Sequence, residues 1–293
     1  MDTQNLRAFL AVADSGSFSE AAIRLHLTQP AVSKRIAVLE TELDTRLFDR
    51  IGRSVQLTES GRTLLPRARA ILLDIEDARR SLHNLTDEVS GTLSIGTSHH
   101  AGLHRLPPAL RHFARAHPQV ALDIRFMDSE QAHEAVLHGE LELAIVTLSP
   151  IDIAQLKRTV LWHDPLAFAC APDHPLAATP APTPKQLIEW PSVLPGEATY
   201  TGRLIREAFE AQQLTLPVAM TTNYLETLKM LAGVGLGWSV LPQTMLDDEL
   251  IELKPQGMAI SRELGLIVHR ERSLSNAAQR FIDALHTNTS KDR

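Results

Sequence analysis

Gln29, Ser33 and Lys34 stand just after Thr28, at a spacing that places them together at the leading end of one helix. Their side chains carry donors and acceptors that match the edges of nucleic-acid bases. A glutamine can make paired hydrogen bonds to adenine, a lysine can donate to guanine, and a serine can contact a base or a phosphate. A second group begins at Thr97-Ser98-His99-His100 and includes His104. Imidazoles at such a position could pair with a carboxylate, report pH or bind a metal ion. Adjacent histidines usually diverge, so no metal is assigned; His99 is read as facing a pocket, and His100 and His104 are left open between pocket and surface. The single cysteine, Cys170, lies in an apolar run and reads as a small core residue. One cysteine excludes a disulfide framework, a four-cysteine zinc site and a two-cysteine redox switch within the chain.

The elements that must hold the first group are short helices. Leu6, Phe9, Leu10 and Ala13 recur at i, i+3, i+4 and i+7, one face of a helix. Asp14-Ser15-Gly16-Ser17 stops it, and Ser17 with Glu20 has the spacing of a capping box for a second helix. His26-Leu27 makes the turn. Thr28 is a good N-cap for a third helix, and Pro30 is acceptable in its first turn. Burying Val32, Ile36, Leu39 and Leu43 leaves Gln29, Ser33 and Lys34 exposed, with Arg35 near the edge of that face. A small β wing follows, with Arg50 and Arg53 flanking its turn; these suit phosphate or minor-groove contact.

From Thr58 to about residue 90 the pattern is one long helix. Leu64, Ala68, Ile71, Ile75, Ala78, Leu82, Leu85 and Val89 alternate by four and three residues, the a/d seam of a coiled coil. A second copy of the chain is the simplest partner for it. Beyond residue 91, strands and helices alternate in βαβαβ order, which predicts a mostly parallel sheet. The first strand ends at Thr97-Ser98, where the free amides of a beginning helix would attract an anion. The second ends near Ser129-Glu130 and the third at Thr147. Ligands of open α/β sheets bind outside such strand ends. From a further lobe, Thr199-Tyr200-Thr201 and Thr222-Asn223 could face the same cleft. Six prolines between positions 172 and 191 make a semi-rigid stretch. A late strand at residues 264–268 and a final helix from about Ser275 suggest that the chain returns to its first lobe.

Composition bounds the function. A net charge of −6 argues against non-specific coating of nucleic acid. Residues 1–60 hold seven basic and eight acidic side chains, whereas residues 24–53 hold six and four, so any basic footprint is local. No run approaches the roughly 18 apolar residues of a membrane span, and no secretory signal is visible, which makes the cytoplasm the expected location. Hydrolase elbows, phosphate-binding loops and zinc-protease motifs are lacking. Gly233, Gly235 and Gly237 imitate a nucleotide loop but follow a helix and precede a strand, the reverse of the required order. An enzyme and a solute-binding protein are the weaker alternatives; the latter would lack residues 1–90.

Residues 1–60 resemble the N-terminal module of the LysR-type transcriptional regulators. The resemblance is carried by Gly16-Ser17-Phe18-Ser19-Glu20-Ala21-Ala22, Leu27-Thr28-Gln29-Pro30-Ala31-Val32-Ser33, Leu47-Phe48-Asp49-Arg50, Arg53, and Leu57-Thr58-Glu59 with Gly61. Later marks agree, among them Gly139-Glu140-Leu141-Glu142-Leu143-Ala144, Asp173-His174-Pro175-Leu176 and Gly233-Val234-Gly235-Leu236-Gly237 before Val240-Leu241-Pro242. The resemblance implies an α+β multidomain fold: a winged helix-turn-helix (residues 1–58), a linker helix (59–90) and a two-lobed α/β sensor domain like periplasmic binding proteins (91–293). Lobe I would hold about residues 91–162 and 267–293, and lobe II about 163–266. It also implies base contacts at Gln29, Pro30, Ser33 and Lys34, an interrupted-palindrome promoter site, and a homodimer that assembles to a homotetramer. A small effector between the lobes, expected to be a small anionic metabolite, would change how the dimers sit and how RNA polymerase is recruited. Lysine at position 34 departs from the more frequent arginine, whose planar fork is what suits a bidentate guanine contact.

Overall fold

A computed structural model describes residues 1–51, 54–86 and 88–289, and of Arg50, Ile51, Ser54 and His83 the backbone alone. The chain divides into two compact units, residues 1–85 and 86–293.

In the first unit, α1 (Thr3–Ser15) starts on the Asp2 carboxylate, which accepts from the Gln4 amide at 2.9 Å, and stops at Gly16, whose φ of 63° is the left-handed conformation glycine tolerates. The second helix, α2 (Phe18–Arg24), is capped by Ser17, which accepts from the Glu20 amide. His26, at φ 53°, makes the turn into α3 (Gln29–Glu42), capped by Thr28. Val32, Ile36 and Leu39 are buried with Leu6, Phe9, Val12, Phe18 and Ala21 in one core. The wing is β1 (Phe48–Ile51) paired antiparallel with β2 (Ser54–Leu57). Glu40 on α3 accepts from the Leu47 amide at 2.7 Å and fixes the start of the wing. The long helix α4 (Glu59–His83) is capped by Thr58 and passes so close to the wing that a Cβ on Gly61 would lie 2.2 Å from the Leu47 carbonyl oxygen.

Two expectations change at α4. The helix ends at His83, capped by Asn84, rather than continuing to residue 90. Asn84, Thr86 and Ser90 compete with the backbone for hydrogen bonds and favour turns over helix interiors. Leu85 therefore lies past the helix end, and Val89 packs on the core of the second unit. The early seam is also partly spent within its own unit: Ala68 is fully buried there, with Leu64 and Ile71 half-buried against the same core. What remains for another chain is Ile75, Ala78 and Leu82, the last 68% exposed.

The second unit has two lobes. Lobe I contains β3 (Gly91–Thr97), α5 (His99–His104), α6 (Pro107–Ala116), β4 (Val120–Phe126), α7 (Ser129–Leu137) and β5 (Leu143–Thr147). The break between α5 and α6 falls at Arg105-Leu106, and Pro107-Pro108 open α6. The long strand β6 (Leu156–Cys170) then crosses into lobe II. That lobe holds α8 (Pro184–Leu187), β7 (Ser192–Leu194), α9 (Tyr200–Glu210), β8 (Val218–Thr221), α10 (Leu225–Gly233), β9 (Ser239–Pro242) and β10 (Ile251–Leu253). The second crossing strand, β11 (Ile260–His269), returns to lobe I, and α11 (Asn276–Thr289) closes it. Strands run in the order β10-β6-β11-β5-β3-β4, with β9 also on β6.

The sheet is mixed rather than mostly parallel. Only β3, β4 and β5 run parallel in it, because every strand laid on a crossing strand runs antiparallel. Lobe I also begins earlier on β11 than residue 267, since Leu264 and Leu266 share its core with Leu161 and Trp162. The change of core along β11 coincides with a register shift at Leu264/Gly265, where a Cβ on Gly265 would lie 2.3 Å from the Thr159 carbonyl oxygen. Lobe II buries Phe168, Cys170, Phe209 and Trp238 together.

Candidate functional site

In the first unit, Gln29, Pro30 and Lys34 are exposed and Ser33 is half-buried beside them. The buried face of α3 anchors the helix while its leading end stays open, as the apolar phase requires. Gln29 Nε2 donates to Ser33 Oγ at 3.3 Å, so the two polar side chains form one surface. Arg35 turns back and donates to Gln4 Oε1 on α1 at 3.2 Å. The backbone of Arg50 pairs with Val55 in the wing, and Arg53 lies outside the described residues.

In the second unit the strand ends and helix starts of both lobes meet at one cleft. Ser98, His99, His100, Ser129, Glu130, Thr147, Thr199, Tyr200, Thr201 and Asn223 all line it, as the strand-end argument expects. Two expected residues do not. Thr97 is fully buried and donates to the Ile145 carbonyl at 2.9 Å, a bond that ties β3 to β5. Thr222 accepts from the Tyr224 amide and stays in its own turn. The anion expected at the start of α5 also loses its reason, because that helix has six residues and Ser98 already accepts from the Ala101 amide.

The lobes touch directly across this cleft. Asn223 donates to Asp128 at 2.7 Å, the Tyr200 amide donates to the Glu130 carboxylate, and His104 lies 3.1 Å from Glu226. The remaining space is about 50 Å³, room for a few waters. Burial pushes the Glu130 carboxyl above its ordinary value, even though the Tyr200 amide and Arg203 favour its charge.

The strongest charges at the cleft escaped the sequence reading. Arg262 on β11 is 7% exposed, and its Nε donates to Asp164 on β6 at 2.8 Å. Its Nη1 donates to Thr201 at 2.9 Å, while Nη2 is buried with no hydrogen-bond partner. Asp164 is fully buried, with Arg105 3.6 Å and His100 3.9 Å away. Burial works against its charge, but His100 and Arg262 outweigh that and hold the carboxyl below its ordinary value. Neither residue stood out in the sequence, because each crossing strand carries other charges: Lys157 and Arg158 besides Asp164 on β6, and Glu263 besides Arg262 on β11. His99 packs edge-on against Tyr224, whereas burial lowers the His100 imidazole.

Comparison with known proteins agrees across both units. Residues 3–62 match the family described as bacterial regulatory helix-turn-helix protein, lysR family, and residues 86–290 match the LysR substrate binding domain. YbhD of Escherichia coli, described as an uncharacterised HTH-type transcriptional regulator, is 30% identical over 298 residues, which cover 97% of this chain and 90% of that one. Full-length OxyR from Pseudomonas aeruginosa, in a variant form, superposes with a TM-score of 0.69 at 23% identity over 98% of each chain. Full-length CbnR in complex with its target DNA gives a TM-score of 0.62 at 20% identity, over 98% of this chain and 99% of that one. At those identities the two structures speak for the fold alone.

Proposed function

The chain belongs to the LysR family of transcriptional regulators, DNA-binding proteins with an effector-binding domain, and from that premise we propose how its own residues divide the work. The leading end of α3 enters the major groove of promoter DNA. Gln29, Ser33 and Lys34 read base edges, Pro30 offers an apolar surface to a thymine methyl, and Arg35, Arg50 and Arg53 contact the backbone. The observation that carries this is the pairing of a buried Val32-Ile36-Leu39 face with an exposed Gln29-Pro30-Lys34 end on one capped helix. CbnR, which has this fold, is known in complex with target DNA.

The effector is a small anionic metabolite held in the cleft. Arg262 Nη2 is an unused cationic donor at its wall, and the Ser98 and Ser129 hydroxyls stand nearby on the lining. Asp128 and Glu130 also line it, but each already accepts from the opposite lobe. The Asn223–Asp128 and Tyr200–Glu130 hydrogen bonds join the lobes across the cleft, so a ligand that occupies their place must part the lobes and replace those contacts. Two copies pair through Ile75, Ala78 and Leu82 of α4, so each dimer places two helix ends on an interrupted palindrome, and two dimers assemble to a tetramer.

The test is a gel shift with DNA from upstream of the protein's own gene. Binding should weaken steeply as salt rises, because phosphate contacts release counterions. No shift at low salt, with or without a panel of small carboxylates, would overturn the proposal.

A further inference from the structure

The divergence that argues against a metal holds for His99 and His100, but not for His100 and His104. These are four residues apart on α5 and share one face, with ring centroids 4.9 Å apart. Glu226, in the first turn of α10 in lobe II, reaches the same point from across the cleft. One ligand atom from each of the three lies within 4.8 Å of the others. His100 is 4% exposed, and neither of its ring nitrogens has a hydrogen-bond partner. A buried imidazole with both nitrogens unused is costly unless something else fills that role.

We propose that His100, His104 and Glu226 bind a divalent transition-metal ion of the zinc type at the junction of the two lobes. Two histidines at i and i+4 on one helix face are a recurrent half of a zinc site, and a carboxylate is a common third ligand. With zinc–ligand bonds of about 2.1 Å, tetrahedral ligands stand roughly 3.4 Å apart. His104 and Glu226 already approach to 3.1 Å and are both partly exposed, so they have freedom to close on His100. Asp164 stands beside the His100 ring, with Oδ2 3.9 Å from Nε2 and Oδ1 held only by the Arg105 ion pair at 3.6 Å. A carboxylate there orients a metal-bound imidazole. Water would complete the coordination at the exposed side. Because the ligands come from both lobes, the ion would hold the cleft closed.

The experiment titrates untagged, metal-free full-length protein with Zn²⁺ alone, and separately with Co²⁺ alone as a spectroscopic probe. One equivalent per chain should bind, Co²⁺ should give the intense visible bands of tetrahedral coordination, and Zn²⁺ should raise the melting temperature. His104→Ala, at an exposed position, and Glu226→Ala, at a half-buried one, should each weaken binding roughly tenfold or more and lose the bands. His112→Ala, an exposed histidine on α6, should change nothing. Wild-type protein without saturable binding or bands would overturn the proposal, and so would variants at positions 104 and 226 that bind as wild type does. Neither DNA nor effector is present in this titration, so its failure leaves the proposed regulatory function standing.

Discussion

Arg262→Met removes the guanidinium from the crossing strands and leaves the fully buried Asp164 without its closest partner. Stripping one partner from a buried pair costs about 3–5 kcal/mol, because the remaining charge is neither hydrated nor compensated. Arg105 at 3.6 Å and His100 at 3.9 Å still face Asp164, which places this site at the lower end. For a domain of this size each kcal/mol moves the midpoint by about 2–4 °C, so a fall of about 6–12 °C is expected from ~3 kcal/mol. All three tryptophans, Trp162, Trp190 and Trp238, belong to the second unit, so thermal unfolding followed by tryptophan fluorescence reports on this site. The double variant Arg262→Met with Asp164→Leu removes the orphaned charge and should recover much of the loss. A midpoint within about 2 °C of wild type for the single variant, or a double variant as unstable as the single, would refute the assignment of Arg262 and Asp164 as a coupled buried pair.

Glu130 supplies a pH-dependent prediction. Its folded-state carboxyl titrates above the ordinary 4.5, so the folded state holds its proton more tightly than the unfolded one. The ionised form is therefore penalised, and stability is lost as pH rises from about the ordinary value through the raised one. Glu130→Gln should gain stability over wild type at neutral pH, with the gap closing below the ordinary value; a gap that widens on acidification would contradict this. Cys170, whose thiol burial pushes up to about 11, should resist alkylation in native protein and react fully once unfolded. Labelling at equal rates in both states would show the thiol to be accessible. Leu82→Lys places a charge on the exposed α4 stripe and should shift wild-type dimers or tetramers toward monomers by light scattering. An unchanged mass would remove α4 residue 82 from the interface.

The helix-turn-helix was legible almost residue by residue because each local signal agreed with its neighbours. Ser17, Thr28 and Thr58 cap the helices they were expected to cap, and the apolar phase of α3 fixed which end stayed open. The two crossing strands were inferable from the late strand and final helix, but sheet direction was not. Periodicity is blind to whether a neighbouring strand runs up or down, and β6 and β11 impose the antiparallel pairing. The α4 seam misled because a heptad records spacing alone: Leu64, Ala68 and Ile71 satisfy it by packing on their own unit, and Asn84 ends the helix before the pattern ends. The cleft lining was largely readable from strand ends. Its buried charges were not, since Asp164 and Arg262 are 98 residues apart and meet only when β6 and β11 pair. The same limit hid the His104–Glu226 approach, which spans 122 residues.

Sequence readout in this protein rests on the leading end of α3 reaching base edges. Fluorescence anisotropy of wild-type and Gln29→Ala protein on the promoter site and on a scrambled duplex, at one fixed salt concentration, tests this directly. Losing a bidentate base contact costs about 1–3 kcal/mol, so the variant should bind the promoter site about 5- to 150-fold more weakly while its affinity for the scrambled duplex stays unchanged. Equal losses on both duplexes, or no loss on either, would contradict the claim that this helix end carries the sequence readout.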